Sequence, residues 1–198
     1  MKRIVFLAVL LAAVPLGAQT ASKRTAEQRK ALYEAHKSDF DYLLGDWEFT
    51  AQSGDWGKYG GRWSAVRTDQ GQILDEYRIL DEKGGTIYVT ATVRSYNAAA
   101  DRWELISMDA GGGLQDFGTA QRVDGEMHLE QKFGVAGDSP VILRIRYYNI
   151  HPDRFSWNAD RSKDGGKTWV KDFMHIEARR IGGVRSMGPL TLATGQGH

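Results

Sequence analysis

The sequence predicts an all-β protein, an antiparallel up-and-down β-barrel of about eight to ten strands behind one short N-terminal helix. Three observations carry the prediction. After Gly45, aromatic and β-branched residues recur in runs of period two, and Gly, Asp or Asn punctuates these runs at intervals of about ten residues. No helical pattern lies between the runs, which argues against a βαβ enzyme fold.

The chain opens with a targeting signal. Met1-Lys2-Arg3 precedes Ile4 to Val14, eleven residues without a charge, and Pro15-Leu16-Gly17-Ala18 ends the run beside a small residue. An apolar run of that length reaches about 16 Å as a helix, roughly half the hydrocarbon core of a bilayer, so it reads as a signal peptide and not as an anchor. Cleavage is expected after Ala18, with Ala21 as the alternative, giving a periplasmic or extracellular protein with no membrane insertion after cleavage. The 26 Lys and Arg against 25 Asp and Glu give +1, and losing Lys2 and Arg3 turns this to −1. Such a balance cannot drive nucleic-acid binding by counterion release.

Residues 19–38 read as a linker and the helix. Thr25 is placed as an N-cap with Gln28 three residues on, a capping box ahead of Lys30, Leu32 and Ala35. Phe40, Tyr42, Leu43 and Leu44 then supply an apolar cluster. Strand-like runs follow at Trp47 to Ala51, Gly61 to Thr68, Ile73 to Leu80, Thr86 to Tyr96 and Trp103 to Met108. The second half continues with Leu114 to Val123, Met127 to Phe133, Val141 to Ile150, Phe155 to Arg161 and Thr168 to Ile181. Asp124-Gly125 is the sharpest turn signal, since a two-residue hairpin of the primed type needs positive φ at both positions. The barrel is thus expected over 39–181, with a flexible, glycine-rich tail at 182–198.

Alternation along the fourth run places Ile87, Val89, Ala91 and Val93 on one face and Tyr88, Thr90, Thr92, Arg94 and Tyr96 on the other. Two such mixed faces suit a closed barrel better than a sandwich, and the pattern does not say which face is inside. Gly45-Asp46-Trp47 at the first strand and Arg179-Arg180 at the last resemble the calycin arrangement of lipocalins and fatty-acid-binding proteins. There, a barrel-floor tryptophan is covered by an arginine of the final strand, and the resemblance implies Trp47 and Arg179 as the closing pair. Phe40 to Trp47, with Asp164-Gly165-Gly166-Lys167-Thr168-Trp169, is similar to a family of secreted bacterial lipocalin-like proteins over about Asp39 to Arg180. That resemblance implies a fold and an address, and no catalytic residues. Ser162 to Trp169 also looks like the Asp box of sialidases, read here as a single structural turn.

For function, the absence of Cys removes thiol chemistry and thiolate metal sites, and the five His show no metal-binding spacing. Signatures of serine hydrolases and phosphate loops are missing as well. Tyr77, Tyr88, Tyr148 and Trp157 fall near strand centres beside Arg78, Arg94, Arg146 and Asp160, a lining suited to a small amphipathic molecule with an acidic head. His175 joins them through a short likeness to nitrobindin-like barrels, which implies haem ligation from the last strand. The expected ligand-binding set is therefore Tyr77, Tyr88, Arg146, Tyr148, Trp157 and His175. A small-molecule-binding barrel without a cofactor is the leading reading; a haem barrel using His175 and an enzyme at the barrel mouth are the alternatives.

Overall fold

The computed structural model describes residues 24–186; the expected signal peptide and most of the expected tail lie outside them. The helix α1 spans Ala26–His36 and is capped as the sequence predicts. Thr25 Oγ1 accepts from the Gln28 amide at 3.2 Å, and Gln28 Oε1 accepts from the Thr25 amide at 2.8 Å. None of its residues is buried. The helix is held by its end: the His36 ring stacks on Tyr96 at 5.2 Å and its Nδ1 lies 2.9 Å from Asp39 Oδ2. A single 3-10 turn, Asp41–Leu43, then leads into the first strand.

The strands are β1 Gly45–Ser53, β2 Gly57–Arg67, β3 Ile73–Leu80, β4 Thr86–Asn97, β5 Arg102–Asp109, β6 Gly113–Val123, β7 Glu126–Phe133, β8 Val141–His151, β9 Arg154–Ser162 and β10 Val170–Gly182. Each pairs antiparallel with its sequence neighbours, and β10 returns to β1, so ten strands close a barrel. Asp124 and Gly125 take φ of 50° and 86° between the paired Val123 and Glu126, the two-residue turn that their sequence demands. β2 begins four residues earlier than its apolar pattern, at Gly57. Its glycines answer packing: a Cβ on Gly61 would lie 1.9 Å from the Arg78 carbonyl and 2.4 Å from the Phe49 ring. The first residues of the expected tail are partly strand, since Gly182 belongs to β10 and β11 (Arg185–Ser186) pairs parallel with the end of β2.

The barrel's orientation follows from burial. On β4 the inner face is Tyr88, Thr90, Thr92, Arg94 and Tyr96, and the more apolar face, with Ile87 and Val93, is exposed. At the end beside the helix, Phe40, Trp47, Trp103, Tyr147 and Phe155 fill the interior. Trp47 is fully buried, donates from Nε1 to the Leu43 carbonyl at 2.8 Å, and meets the Phe155 ring at 4.8 Å. The guanidinium over it, 4.1 Å from the ring centroid, belongs to Arg180 and not to Arg179. Arg180 donates to the carbonyls of Pro152, Leu44 and Tyr42 at 2.5, 2.6 and 3.1 Å, tying three segments together under the floor. Arg179 points outward and pairs with Glu48 at 2.9 Å, so the expected closing residue is corrected by one position. The reason is parity, since Ile176, Ala178 and Arg180 share the inward face of β10.

Trp47→Ala is expected to cost roughly 3–5 kcal/mol as a large core deletion. Arg180→Ala should cost about 2 kcal/mol through orphaned carbonyls and lost cation–π contact, and Arg179→Ala under about 1 kcal/mol. Chemical denaturation of the three variants checks the order; equal effects at the two arginines would contradict the floor described here.

Candidate functional site

Above the aromatic floor the barrel carries an unusual middle layer. Arg94 on β4 reaches Asp75 on β3, with Nε 2.6 Å from Oδ2 and Nη2 3.2 Å from Oδ1, and Trp63 Nε1 donates to Asp75 Oδ1 at 2.8 Å. The two side chains are 3% and 1% exposed. Burial alone would lower the Arg94 pKa, but the Asp75 carboxylate more than offsets it and holds the guanidinium charged. Arg94 also sits 5.0 Å over the Phe40 ring, joining this layer to the floor.

The next layer up is a polar row across neighbouring strands. The register sets Thr92 opposite Ser107 and Ser107 opposite Asp116. Thr92 Oγ1 lies 3.0 Å from Ser107 Oγ, which donates to Asp116 Oδ1 at 3.0 Å, and Gln131 Nε2 donates to the same oxygen at 3.0 Å. Asp116 Oδ2 accepts no hydrogen bond among the described residues, although the residue is only 4% exposed. Burial pushes the Asp116 carboxyl up to about 6, against the lowering influence of the Ser107 bond and of Arg94. Nearby, the Tyr88 hydroxyl is buried without a partner, and its pKa is pushed up to about 12 by burial and by the charges of Asp109 and Asp116.

This end carries no helix among the described residues, and its inward side chains are only half-buried: Tyr59, Tyr88, Gln131, Phe133 and Val141. Over it stands Trp56, in the turn between β1 and β2, 62% exposed, with its ring 6.0 Å from Tyr59 and 6.4 Å from Tyr88. Tyr59 in turn donates to Met174 Sδ at 2.8 Å. The open end therefore combines an aromatic rim with a carboxylate beneath it.

Three of the expected ligand-binding residues point inward. Tyr77 stacks flat on Phe49 at 4.7 Å and 11°, Tyr88 lies at the open end, and Trp157 is sealed in the core beside Tyr147. The other three face outward, because Leu143, Ile145 and Tyr147 of β8 and Ile176 and Ala178 of β10 take the inner parity. Arg146 stands 5.0 Å over the Tyr148 ring and borders an outer-wall groove of about 960 Å³. Tyr148 Oη lies 3.3 Å from His175 Nδ1, and His175 Nε2 lies 2.7 Å from Glu177 Oε1. His175 thus sits on the outer wall, away from the lumen that the haem reading requires. Of the charged residues read beside that set, Arg78 and Arg146 are outside and Arg94 is paired with Asp75, while Asp116 forms no ion pair among the described residues.

The Asp-box segment is a turn. Asp164 Oδ1 accepts the amides of Lys167 and Thr168 at 3.0 and 2.9 Å, and Oδ2 accepts the Thr168 hydroxyl at 2.7 Å, bonds that hold its carboxyl down at about 2. Among the described residues no three His, Asp or Glu side chains converge as a metal site. What the sequence reading missed is the Thr92–Ser107–Asp116–Gln131 row and the Trp56 rim. A signal for the row existed only in the pairing register, because β6 shows no apolar alternation around Asp116.

No family model and no curated protein matches the sequence. Among solved structures, the crystal structure of Rv2717c from M. tuberculosis is similar, with a TM-score of 0.54 and 14% identity over 76% of this chain and 97% of that one. The redesigned β-barrel mFAP1, solved bound to DFHBI, matches at a TM-score of 0.38 and 14% identity over 71% of this chain and 96% of its own. A second redesigned barrel, b11L5F_LGL, matches at 0.39 and 11% over 71% and 93%. The first of these shares the barrel fold.

A titration test follows from Asp116. With its folded pKa raised from 3.8 to about 6, the folded protein keeps a proton that the unfolded chain releases, so this group makes stability fall as pH rises through that window and then level off. Asp116→Asn should abolish that part of the slope and raise stability at neutral pH by about 2 kcal/mol. Urea denaturation between acid and neutral pH checks it; a variant with an unchanged slope would contradict the assignment.

Proposed function

We propose that this protein is a secreted or periplasmic lipocalin-like barrel that binds a small amphipathic molecule at its open end. The observation that carries the reading is the combination, at the open end, of half-buried aromatic side chains with two polar atoms that have no protein hydrogen-bond partner among the described residues, Asp116 Oδ2 and the buried Tyr88 hydroxyl. A buried polar group without a partner costs about 1–3 kcal/mol, and such a cost is offset when a ligand or an ordered water completes the bonds. A chamber lined mainly by aromatic side chains with a few convergent polar groups is the usual form of a small-molecule site. The address rests on the charged start, apolar run and small-residue end of residues 1–18, and a Cys-free chain suits an oxidising compartment without needing it.

Only the upper part of the lumen is available to a ligand. Trp47, Trp103, Tyr147 and Phe155 occupy the floor, and the Asp75–Arg94 pair sits above them. A compact ligand that reaches down to Asp116 and leaves its far end against Tyr59 and Trp56 fits this shape.

Native mass spectrometry of protein purified from its own host, with tryptophan fluorescence against a panel of fatty acids, isoprenoids, aromatic acids and amines, tests the reading. A co-purifying organic mass, or a fluorescence response lost in Trp56→Leu, is expected. Empty protein that ignores the whole panel would overturn it.

A further inference from the structure

The ligand's chemistry can be taken one step further, and the step rests on the binding site proposed above. We propose that the open end recognises organic ammonium ions, with the protonated amine seated between Asp116 and Tyr88 and the apolar body held by the aromatic rim.

The charges inside the barrel favour this class. The charge of Arg94 is matched by Asp75 through two nitrogens, with only Nη1 left buried without a hydrogen-bond partner, and the rim cation Arg161 is engaged by Asp55 at 2.5 Å and by the Phe173 ring at 3.5 Å. No cation among the described residues forms an ion pair with Asp116, and both protein hydrogen bonds it accepts fall on Oδ1. Oδ2 is left as an acceptor without a protein donor among the described residues. The Tyr88 hydroxyl, buried and unpartnered, adds a second acceptor, and Asp109 adds negative charge beside it. An ammonium group brings the donors and the charge that these atoms lack. A carboxylate ligand would meet like charge, and a neutral apolar one would bury Asp116 further without compensating it.

The rim supplies the second half of the recognition. Trp56 stands edge-on to Tyr59 and to Tyr88, a packing that leaves ring faces to meet a cation or its adjacent methylene groups. A cation over an aromatic face gains about 0.5–2 kcal/mol, more as it is desolvated. Trp56 is the most exposed aromatic of the three and stands above the other two, which places it where a ligand body would emerge.

Binding should also sense pH. The groups acting on Asp116 are Arg94 and Tyr88 from β4, Ser107 from β5, Gln131 from β7 and Asp75 from β3, with Thr92 behind Ser107 and Asp109 beside Tyr88, and the carboxyl among them with a raised pKa is Asp116 itself. A proton on Asp116 removes the charge that attracts the amine, so affinity falls on acidification.

The test compares benzylammonium with benzyl alcohol and benzoate, three probes of one size and different charge, by amide chemical-shift changes in the full chain. Benzylammonium is expected to move residues around Tyr88, Ser107 and Asp116 and to bind at least about tenfold more tightly than the other two. Its affinity should fall roughly tenfold from neutral pH to pH 5, and Asp116→Asn should lose both the preference and the pH dependence. Trp56→Leu, on the rim, should weaken binding several-fold while leaving the pH dependence in place. Equal binding of the three probes, or a preference for benzoate or benzyl alcohol, overturns the ammonium inference and leaves the binding barrel standing. If benzylammonium at millimolar concentration moves none of these residues while a fatty acid or isoprenoid does, the inference also fails alone. If no probe moves them, both readings fail.

Discussion

The ion pair between Arg94 and Asp75 organises the interior. It lies at mid-height in a closed barrel, with Trp63 donating to one side of the carboxylate and Phe40 beneath the guanidinium. A buried pair of this kind adds little net stability, yet removing one partner alone costs about 3–5 kcal/mol, because the other charge is then stranded. The pair therefore fixes which strand face turns inward: Arg94 can be buried only where Asp75 meets it. It also separates two environments. Below it, aromatic rings pack edge to face and leave the floor full; above it, hydroxyls, an amide and a carboxylate line a chamber that stays partly open.

Arg94's engagement with Asp75 has a consequence for the upper layer. Among the described residues Asp116 has no counter-ion of its own and accepts two hydrogen bonds, both on one oxygen, and its carboxyl is destabilised in the charged form. Such a group lowers fold stability at neutral pH, the pattern expected where an interior is shaped for recognition and not for packing alone. The outside of the same strands shows the complement. Val93, Ile106 and Phe117 pair across β4, β5 and β6 and are exposed, so this part of the barrel has polar groups within and apolar groups without.

That inversion explains what could and could not be read from the sequence. The helix cap, the Asp124-Gly125 hairpin and the count of strands were legible because each depends on local chemistry: a side chain bonding the backbone, a positive φ, a period of two. The choice of inner face was not, because β4 offers an apolar face that turns out to be external. The same ambiguity moved the closing arginine by one residue. On β10, Trp169 belongs to the Asp164 turn under Arg144, and a bulge at Asp172, with φ of 48°, precedes the regular inward run, so strict alternation cannot be carried along the strand from the sequence. His175 follows the same outward parity of β10, and Tyr148 faces outward on β8, where Leu143, Ile145 and Tyr147 take the inner face. Asp116 was invisible for a different reason, since its meaning comes from partners on β5 and β7 that only the register brings together.

The most direct measurement is the titration of the Asp116 carboxyl carbon by NMR in the intact protein, assigned with Asp116→Asn. The uncompensated carboxylate predicts a midpoint near 6. A midpoint near the ordinary aspartate value of about 4 would mean that Asp116 is solvated or paired, and the interior described here would be wrong.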